Sequence, residues 1–288
     1  MGYLEDRQRR IAVFEDTIQY CEQEQKLVNA IRNSRENTRL YLDPLSDTEK
    51  PEADNRACRI TVSAMRTIEC ACKLAKEYPD SRIGVLNFAS ATNPGGGVIR
   101  GSNAQEECLC RCSTLYPCLD VDPLWQGYYT FHRKRHSALY TDACIYTPDI
   151  VAFKSDEKWP MQLSQEDWIT LDIISCAAPN LRECPSNDMN PSAGERVLIK
   201  DKDLRELLEQ RIRGILQVAA FHEVDVLVLG AFGCGAFRNS PQMVAEVFKK
   251  ALEEYQCYFN AVEFAVYCNP SDMSNYEVFA SVLQSQYS

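Results

Sequence analysis

The sequence contains no long hydrophobic run, and none of its apolar stretches approaches the roughly 20 residues that a membrane-spanning helix needs. The N-terminal segment MGYLEDRQRR is charged and lacks the apolar core of a secretory signal. Repeats and low-complexity tracts are also missing. We therefore expect a soluble globular protein of a reducing compartment, the cytoplasm or, in a eukaryote, the nucleus.

An excess of positive charge is missing as well. The chain has 31 Lys and Arg against 41 Asp and Glu, which gives a formal net charge of −10. A protein that binds duplex DNA needs a basic surface to displace counterions, so we expect neither a DNA partner nor a membrane partner. A phosphate-bearing ligand would instead be bound by backbone N–H groups and helix N-termini.

Cysteine, in contrast, is abundant, with 14 residues. A secreted disulfide protein is usually shorter, so we interpret these residues as reduced thiols, several of them buried. Cys108, Cys110 and Cys112 form a C-x-C-x-C pattern that resembles a soft-metal site. On a helix, however, residues 108 and 112 share one face and residue 110 points elsewhere, so three thiolates would not converge.

His132 and His136 have the spacing of metal ligands on a helix, but the cations between them disfavour a divalent ion. We interpret both histidines as surface residues. The sequence therefore predicts no metal and no cofactor.

Alternating strand and helix patterns predict an α/β fold. The predicted strands are 59–63, 83–88, 144–146, 150–153, 168–178, 224–229 and 262–267. The predicted helices are 5–34, 64–77, 104–115, 201–222, 240–255 and 276–283. We interpret residues 43–57 as a polar loop and residues 117–142 as irregular.

Two glycine-rich loops each follow a predicted strand and precede a helix. The first contains Gly95, Gly96 and Gly97, and the second runs from Gly233 to Phe237. A lone run of glycines is most often a turn, and this one has neither the Lys-Ser/Thr of a P-loop nor the G-x-G-x-x-G spacing. Two such loops can meet at the carboxyl edge of a sheet, where bare N–H groups suit a pyrophosphate. Together they suggest a clamp on an extended, phosphate-containing ligand.

Gln105, Glu106 and Glu107 begin the helix after the first loop. One structural alternative is a capping box in which Asn103 caps the helix and Glu106 reaches back to it. Neighbouring helical residues point about 100° apart, so the two carboxylates cannot oppose each other across one bond. If both are functional, one transfers a proton and the other holds the substrate.

The order GGG, seven residues, QEE resembles the signature of the macrodomain-type poly(ADP-ribose) glycohydrolases in their compact microbial form. Further similar segments are VLNFASATNPGGG, the R-x-S-x-L-Y that follows QEE, YTDACIYTPDIVAF, ISCAAPNLR and VLGAFGCGAFRN. The resemblance runs from about residue 8 to the end of the chain. It implies a macrodomain-like three-layer α/β/α fold with a mixed central sheet. Residues 1–57 would be a helical N-terminal extension, and residues 58–288 the catalytic domain that binds ADP-ribose.

The resemblance also implies roles for individual residues. Glu107 would be the catalytic acid, Glu106 would hold the hydroxyls of the cleaved ribose, and Asn93 would contact that ribose. The remaining implied ligand-binding residues are Gly95, Gly96, Gly97, Gln105, Gly233, Cys234, Gly235, Ala236 and Phe237, with the last five around the pyrophosphate. Cys234 is interpreted as a small residue between glycines and not as a nucleophile. The implied reaction is metal-free hydrolysis of ribose–ribose O-glycosidic bonds in poly(ADP-ribose), which releases ADP-ribose. We expect a monomer.

A single carboxylate must then protonate the leaving oxygen and afterwards activate water. A helix N-terminus favours the charged form of Glu107, whereas a pyrophosphate bound close by would favour the protonated form. We therefore hypothesise that the substrate assists its own cleavage. Three alternatives stay open at this point. The first is a hydrolase of mono(ADP-ribosyl) protein, and the second is a macrodomain that binds ADP-ribose without cleaving it. The third is a metal or redox protein built on the cysteines.

Overall fold

The computed structural model describes residues 2–45, 57–186 and 193–284. Within these ranges the strands are β1 (Arg39–Tyr41), β2 (Arg59–Ser63), β3 (Ile83–Phe88), β4 (Cys144–Ala152), β5 (Ile169–Cys176), β6 (Val226–Leu229) and β7 (Ala261–Ala265). The helices there are α1 (Tyr3–Gln23), α2 (Gln25–Asn37), α3 (Thr67–Glu77), α4 (Gln105–Cys112), α5 (Leu115–Leu119), α6 (Asp122–Leu124), α7 (Thr130–Arg135), α8 (Asp201–Phe221), α9 (Pro241–Tyr255) and α10 (Ser274–Gln284).

The strands form one mixed sheet in the order β1-β4-β5-β3-β6-β7-β2. Strands β5, β3, β6, β7 and β2 run parallel, and β4 and β1 add an antiparallel edge. In the middle of the sheet, Val85 of β3 lies opposite Ile173 of β5 and Val228 of β6. The predicted α/β fold with a mixed sheet is confirmed.

Both faces of the sheet are covered, which explains why its central strands are apolar almost throughout. Leu86 and Ile174 pack into a core with α8, α9 and α10. Their neighbours Val85 and Ile173 point to the opposite face and pack with α1 to α5. This alternation follows from the two-residue period of a strand, and it produces three layers.

The N-terminal helices share the second of these cores. Phe14 of α1 and Leu27 of α2 are buried in the same cluster as Val85. Strand β1 then pairs with β4, with Leu40 opposite Ile145. The N-terminal segment therefore contributes a strand and apolar side chains to the main body. The division of the chain at residue 57 stays a prediction, and the preceding residues 46–56 lie outside the described residues.

Three local predictions are wrong. The helix predicted over residues 5–34 is two helices, α1 and α2, because the backbone of Glu24 is extended. Residues 117–142 are largely helical, with α5 to α7 and a π-helical turn at Trp125–Tyr129. These helices are only three to six residues long, too short for a one-sided apolar pattern to repeat. In the π-helical turn the adjacent residues Tyr128 and Tyr129 are both buried. The two short strands predicted around residues 147–149 are one strand, β4. Its pairing shifts between Thr147 and Ile150, with Asp149 at a φ of 56°.

None of the described helices combines the length and apolar character that a membrane crossing requires.

Candidate active site

The side chain of Gln105 joins the N-terminus of α4 to the end of β3. Its Oε1 accepts a hydrogen bond from the backbone N of Phe88 at 2.9 Å, and its Nε2 donates to the carbonyl of Leu86 at 2.8 Å. The amide therefore continues the hydrogen bonding of the strand and sets where α4 begins. These contacts give Gln105 a positioning role, and ligand binding by this residue stays a prediction.

Glu106 lies in a closed environment and is only 3% exposed. Its Oε2 accepts a hydrogen bond from the backbone N of Ser90 at 2.7 Å, and its Oε1 lies 3.4 Å from Nδ2 of Asn87. Burial raises the pKa of Glu106 well above its usual value, and the neighbouring charge of Glu107 raises it further. Glu106 therefore has a strong tendency to keep its proton.

Glu107 is also buried, at 7% exposure, and both of its oxygens accept backbone hydrogen bonds. The Oε1 atom accepts from Gly97 N at 2.9 Å, and Oε2 accepts from Ala104 N at 2.7 Å. The second bond is that of a capping box, since Ala104 precedes the first helical residue and Glu107 is the third residue of α4. The predicted box between Asn103 and Glu106 is wrong because the helix begins one residue later than that arrangement requires.

The first glycine loop folds around the two carboxylates. Gly95 and Gly96 have φ angles of 62° and 59°, in the left-handed region that glycine tolerates best. A Cβ atom on Gly96 would lie 2.5 Å from Oε1 of Glu107 and 3.0 Å from Oε2 of Glu106. Both carboxylates therefore converge on Gly96, and only a residue without a side chain fits between them.

The N–H groups of this loop are used inside the protein. Gly96 N donates to the carbonyl of Asn93 at 3.1 Å, Gly97 N donates to Glu107, and the backbone of Gly95 hydrogen-bonds to Glu106. Our interpretation of these glycines as bare donors for phosphate is not supported by this arrangement. The loop instead supports the carboxylates, and contact of the three glycines with a ligand stays a prediction.

The second glycine loop stands beside the first. Strands β3 and β6 are adjacent and parallel, so the loops that follow them emerge at the same edge of the sheet. Phe232 packs against Phe88 with ring centroids 5.9 Å apart. Phe237 packs against Tyr140 at 6.1 Å, in a cluster that includes Ala91 from the first loop. The predicted meeting of the two loops is confirmed.

The second loop differs from the first in its hydrogen bonding. Within the described ranges, the consecutive N–H groups of Gly235, Ala236 and Phe237 donate to no protein acceptor. Gly235 and Ala236 are exposed, and Phe237 is half-buried. Consecutive bare N–H groups suit an anion, so this loop offers donors that the first loop does not; contact of its residues with a ligand stays a prediction.

The conformation of the second loop is stabilised by close packing at Gly233 and by hydrogen bonds from Asn239. Gly233 has a φ of 72°, and a Cβ atom there would lie 2.5 Å from the Cβ of Ala178. Nδ2 of Asn239 donates to the carbonyls of Pro179 at 2.8 Å and Gly233 at 3.2 Å. Burial raises the pKa of the neighbouring Cys234 thiol to about 12, which opposes a nucleophilic thiolate.

Arg133 of α7 contacts the site although sequence reasoning did not select it. Its Nε donates to the carbonyl of Thr92 at 2.8 Å, and its Nη2 donates to Oδ1 of Asn93. The guanidinium lies 4.7 Å from the ring centroid of Trp125. A local pattern could not reveal these contacts, because Arg133 and Asn93 are 40 positions apart.

The prediction that His132 is a surface residue is wrong, since it is only 2% exposed. Its Nδ1 lies 2.9 Å from the carbonyl oxygen of Tyr128, and its Nε2 lies 2.9 Å from Oγ1 of Thr141. Burial lowers the pKa of His132, which favours the neutral ring. His136, at the end of α7, is exposed as predicted.

The three thiols of α4 have separate surroundings. Cys108 accepts from Arg111, Cys112 donates to the carbonyl of Ser155 at 3.3 Å, and Cys110 faces the glycine loop. Burial raises the pKa of Cys110 and of Cys112 well above the usual thiol value, which disfavours metal-binding thiolates. In the part of the chain that the structure describes, no group of three or more His, Cys, Asp or Glu side chains is placed to bind a metal.

Comparison with known proteins identifies the family. The family model of the microbial-type PARG catalytic domain, where PARG stands for poly(ADP-ribose) glycohydrolase, matches residues 9–155. The chain belongs to the microbial-type PARG family. The PARG of Deinococcus radiodurans in complex with ADP-ribose is 35% identical, with 88% of this chain and 97% of that chain covered and a TM-score of 0.72. The PARG of Thermomonospora curvata bound to the inhibitor ADP-HPD is 28% identical, with 96% and 99% covered and a TM-score of 0.78. A comparison with curated proteins gives no match.

Membership of the PARG family confirms three predictions: the family, the fold and the class of enzyme, a hydrolase of O-glycosidic bonds. The site geometry gives the QEE and GGG segments of this chain distinct structural parts. QEE supplies one residue that joins α4 to β3 and two buried carboxylates, while GGG provides the close approach that the carboxylates require.

Proposed function

We propose that this microbial-type PARG cleaves the ribose–ribose O-glycosidic bond of poly(ADP-ribose) and releases ADP-ribose, with Glu107 as the proton donor. One observation carries the proposal. Two buried carboxylates converge on Gly96 at the same sheet edge where the neighbouring loop presents bare N–H groups. The carboxylates provide proton chemistry, and the loop provides an anion site, as a glycosidic bond next to a diphosphate demands.

The second loop binds the pyrophosphate of the substrate. The N–H groups of Gly235, Ala236 and Phe237 have no acceptor among the described residues, so they can donate to phosphate oxygens. This binding mode suits a protein with a net charge of −10, because backbone dipoles attract an anion without a lysine patch. The complex of the D. radiodurans PARG with ADP-ribose supports ADP-ribose as the ligand.

Phe237 and Asn93 place the terminal ribose between the two loops. Phe237 packs on Tyr140 and so lies beside the first loop, where its ring can cover one face of the sugar. Asn93 lies at the start of the glycine loop and contacts the ribose hydroxyls. The glycines then bring the sugar close to the carboxylates without a side chain in the way.

The two carboxylates have different tasks because their surroundings differ. Glu106 retains a proton in its buried setting, so it can donate a hydrogen bond to a ribose hydroxyl. Glu107 is held at both oxygens by backbone N–H groups, which fixes the orientation of its carboxyl group. A fixed orientation is what proton transfer to one particular leaving oxygen requires.

The reaction then proceeds in two steps. Protonated Glu107 gives its proton to the oxygen of the departing ribose, the bond from the anomeric carbon to that oxygen breaks, and an oxocarbenium-like sugar forms. The Glu107 carboxylate next takes a proton from water as the water attacks the anomeric carbon. The pyrophosphate charge favours the protonated acid in the first step and stabilises the cationic sugar.

The test is incubation of wild-type protein and of Glu107→Gln with poly(ADP-ribose) and with mono(ADP-ribosyl)ated protein. Released ADP-ribose is quantified by chromatography. We expect wild type to degrade the polymer and Glu107→Gln to lose about 10²- to 10⁴-fold in rate. The matched control is Glu22→Gln, which changes an exposed carboxylate of α1 and should leave the rate unchanged.

Two results would contradict the proposal. Turnover of the mono(ADP-ribosyl) substrate alone would assign the acid to a different bond. Binding of ADP-ribose without turnover in either variant would make the protein a reader of ADP-ribose.

A further inference from the structure

Helix α7 reaches the first glycine loop through a charged side chain, that of Arg133. It follows the π-helical turn Trp125–Tyr129, in which the N–H of Thr130 donates to the carbonyl of Trp125. Turns of π-helix are rare in proteins, and those that occur often lie at functional sites. The sequence motif FHRKRH in α7 is not explained by the carboxylates or by the pyrophosphate loop.

Arg133 binds two consecutive residues of the first loop. Its Nε donates to the backbone carbonyl of Thr92, and its Nη2 donates to the side-chain Oδ1 of Asn93. A guanidinium presents these donors in a rigid planar fork, so two simultaneous bonds define both position and direction. The bond to Oδ1 also decides which end of the Asn93 amide carries the acceptor, and Nδ2 points to Oγ1 of Thr92 at 3.2 Å.

The guanidinium is itself held in place by an aromatic ring. It stacks over Trp125 at 4.7 Å, and the indole Nε1 donates to Oδ1 of Asp120 at 2.7 Å. The Oδ2 of Asp120 accepts from the hydroxyl of Tyr116 at 3.1 Å, and the ring of Tyr116 lies against Gly95. The contacts therefore run from Asn93 through Arg133, Trp125, Asp120 and Tyr116 back to Gly95. Both ends of this series lie in the first glycine loop.

The neighbouring residue of α7 connects to the other loop. His132 packs against Tyr140 with ring centroids 6.0 Å apart, and Tyr140 packs against Phe237. Helix α7 thus contacts Asn93 directly through Arg133, and it reaches Phe237 through the ring of Tyr140. Asn93 and Phe237 are the two residues assigned to the terminal ribose.

We propose that Arg133 is a positioning residue for catalysis, which fixes the side-chain amide of Asn93 in the orientation that receives the ribose. This inference rests on the proposed function, since it assigns Asn93 to the ribose. Arg133 acts through Asn93 and through the carbonyl of Thr92. Its loss leaves the pyrophosphate loop and both carboxylates in place, so the ribose is bound but poorly aligned with Glu107.

The test is a double-mutant cycle on poly(ADP-ribose) hydrolysis with wild type, Arg133→Ala, Asn93→Ala and the double variant. We expect Arg133→Ala to lower kcat/KM by up to about a hundredfold, mostly through kcat, because misalignment affects the transition state more than binding. If Arg133 acts through Asn93, the double variant loses no more activity than Asn93→Ala alone. Arg133→Lys keeps the charge but not the fork, so it should lie between wild type and Arg133→Ala.

The matched control is Arg135→Ala, which removes the same charge from the exposed end of the same helix and should retain full activity. Thermal denaturation of every variant shows whether the fold is kept. If Arg133→Ala does not fold, the comparison of Arg133→Lys with Asn93→Ala and their double variant carries the test.

Two outcomes overturn the inference. One is wild-type kcat/KM in Arg133→Ala while Asn93→Ala is impaired, which leaves the proposed function intact. The other is an additive double variant, which would mean that Arg133 works independently of Asn93. Failure of the proposed function appears differently, as a wild-type protein that does not hydrolyse the polymer or an Asn93→Ala variant with full activity.

Discussion

The backbone N–H of Gly97 donates to the Oε1 atom of Glu107, with 2.9 Å between N and O. The other oxygen of Glu107 accepts from Ala104 N, so one carboxylate closes the loop at both of its ends. These two hydrogen bonds therefore constrain the spacing between the glycines and the glutamates along the chain. Seven residues lead the backbone from Gly97 back to the helix that carries the carboxylate, and a change in either part displaces the other.

Substitution of Gly96 should damage both activity and stability. In Gly96→Ala the new Cβ would meet the carboxylates of Glu107 and Glu106 at 2.5 and 3.0 Å, and an alanine at a φ of 59° is strained by about 1–2 kcal/mol. We expect kcat/KM to fall at least tenfold and the melting temperature to drop by several degrees. Enzyme kinetics and thermal denaturation measure the two effects.

The control for this substitution is Gly214→Ala in α8, where a Cβ would meet no atom within 4 Å. Alanine is the better helix former by about 1 kcal/mol, so this variant should be at least as stable as wild type and fully active. Equal behaviour of the two alanine variants would contradict the close approach at Gly96.

The buried state of Glu106 should make stability depend on pH. The folded protein keeps a proton on Glu106 that the unfolded chain releases near pH 4.5, so this group's contribution to stability falls as the pH rises from there through the raised pKa. The loss has a slope of up to about 1.4 kcal/mol per pH unit within that window. Glu106→Gln cannot release a proton, so it should lack this slope.

Denaturant unfolding of both proteins between about pH 5 and pH 8 provides the measurement. The unfolding free energy of Glu106→Gln minus that of wild type should increase as the pH rises. The amide oxygen of the substituted side chain can still accept from Ser90 N. Parallel stability curves would show that Glu106 is already ionised in the folded protein.

Removal of one N–H group from the second glycine loop should weaken ADP-ribose binding. Ala236→Pro deletes a donor at an exposed position. A hydrogen bond to a charged group contributes about 1.5–3 kcal/mol, so the Kd for ADP-ribose should rise by roughly ten- to a hundredfold. Calorimetry with ADP-ribose and with ADP should show the same loss, since both ligands contain the pyrophosphate.

The comparison for that variant is Ala236→Ser, which keeps the N–H and changes the side chain. It should bind ADP-ribose at least tenfold more tightly than Ala236→Pro. Thermal denaturation should show similar stability for both variants. Equal affinities would place the pyrophosphate elsewhere on the sheet edge.

Treatment with a chelator should leave the activity unchanged. Among the described residues no three metal-ligating side chains converge, and burial disfavours thiolates at Cys110 and Cys112. Dialysis against EDTA followed by a polymer hydrolysis assay, with elemental analysis of the dialysed protein, is the measurement. Loss of activity that zinc or magnesium restores would contradict this prediction.

The signals that predicted the fold and the site are local. Apolar runs such as 83–88 and 224–229 are typical of strands buried on both faces, and each lies beside a glycine-rich loop. Adjacent parallel strands place their following loops at one edge, so the meeting of the two loops could be expected. The segment 117–142 could not be predicted in this way, because its helices are three to six residues long and a helical apolar pattern needs a longer run to repeat.

Sequence spacing also assigned the capping box to the wrong carboxylate. The capping box belongs to Glu107 and not to Glu106, because one residue of difference in the start of α4 exchanges the two roles. The pKa of Glu106 is a property of burial, which the surrounding strands and loops create. Neither fact is encoded in the order of residues within the QEE motif itself.

The sequence by itself determined which groups are present and in what order: two strand-to-helix glycine loops and one pair of carboxylates at the start of the helix after the first of them. Only the tertiary structure decided which partners these groups have. It directs the N–H of Gly97 to Glu107 and the N–H of Gly96 to the carbonyl of Asn93, and it leaves those of Gly235, Ala236 and Phe237 without an acceptor among the described residues. It also brings Arg133 to Asn93 across 40 positions of the chain. The physical reason is that hydrogen-bond partners and burial depend on distances in space, which the folded chain sets and a local pattern does not contain.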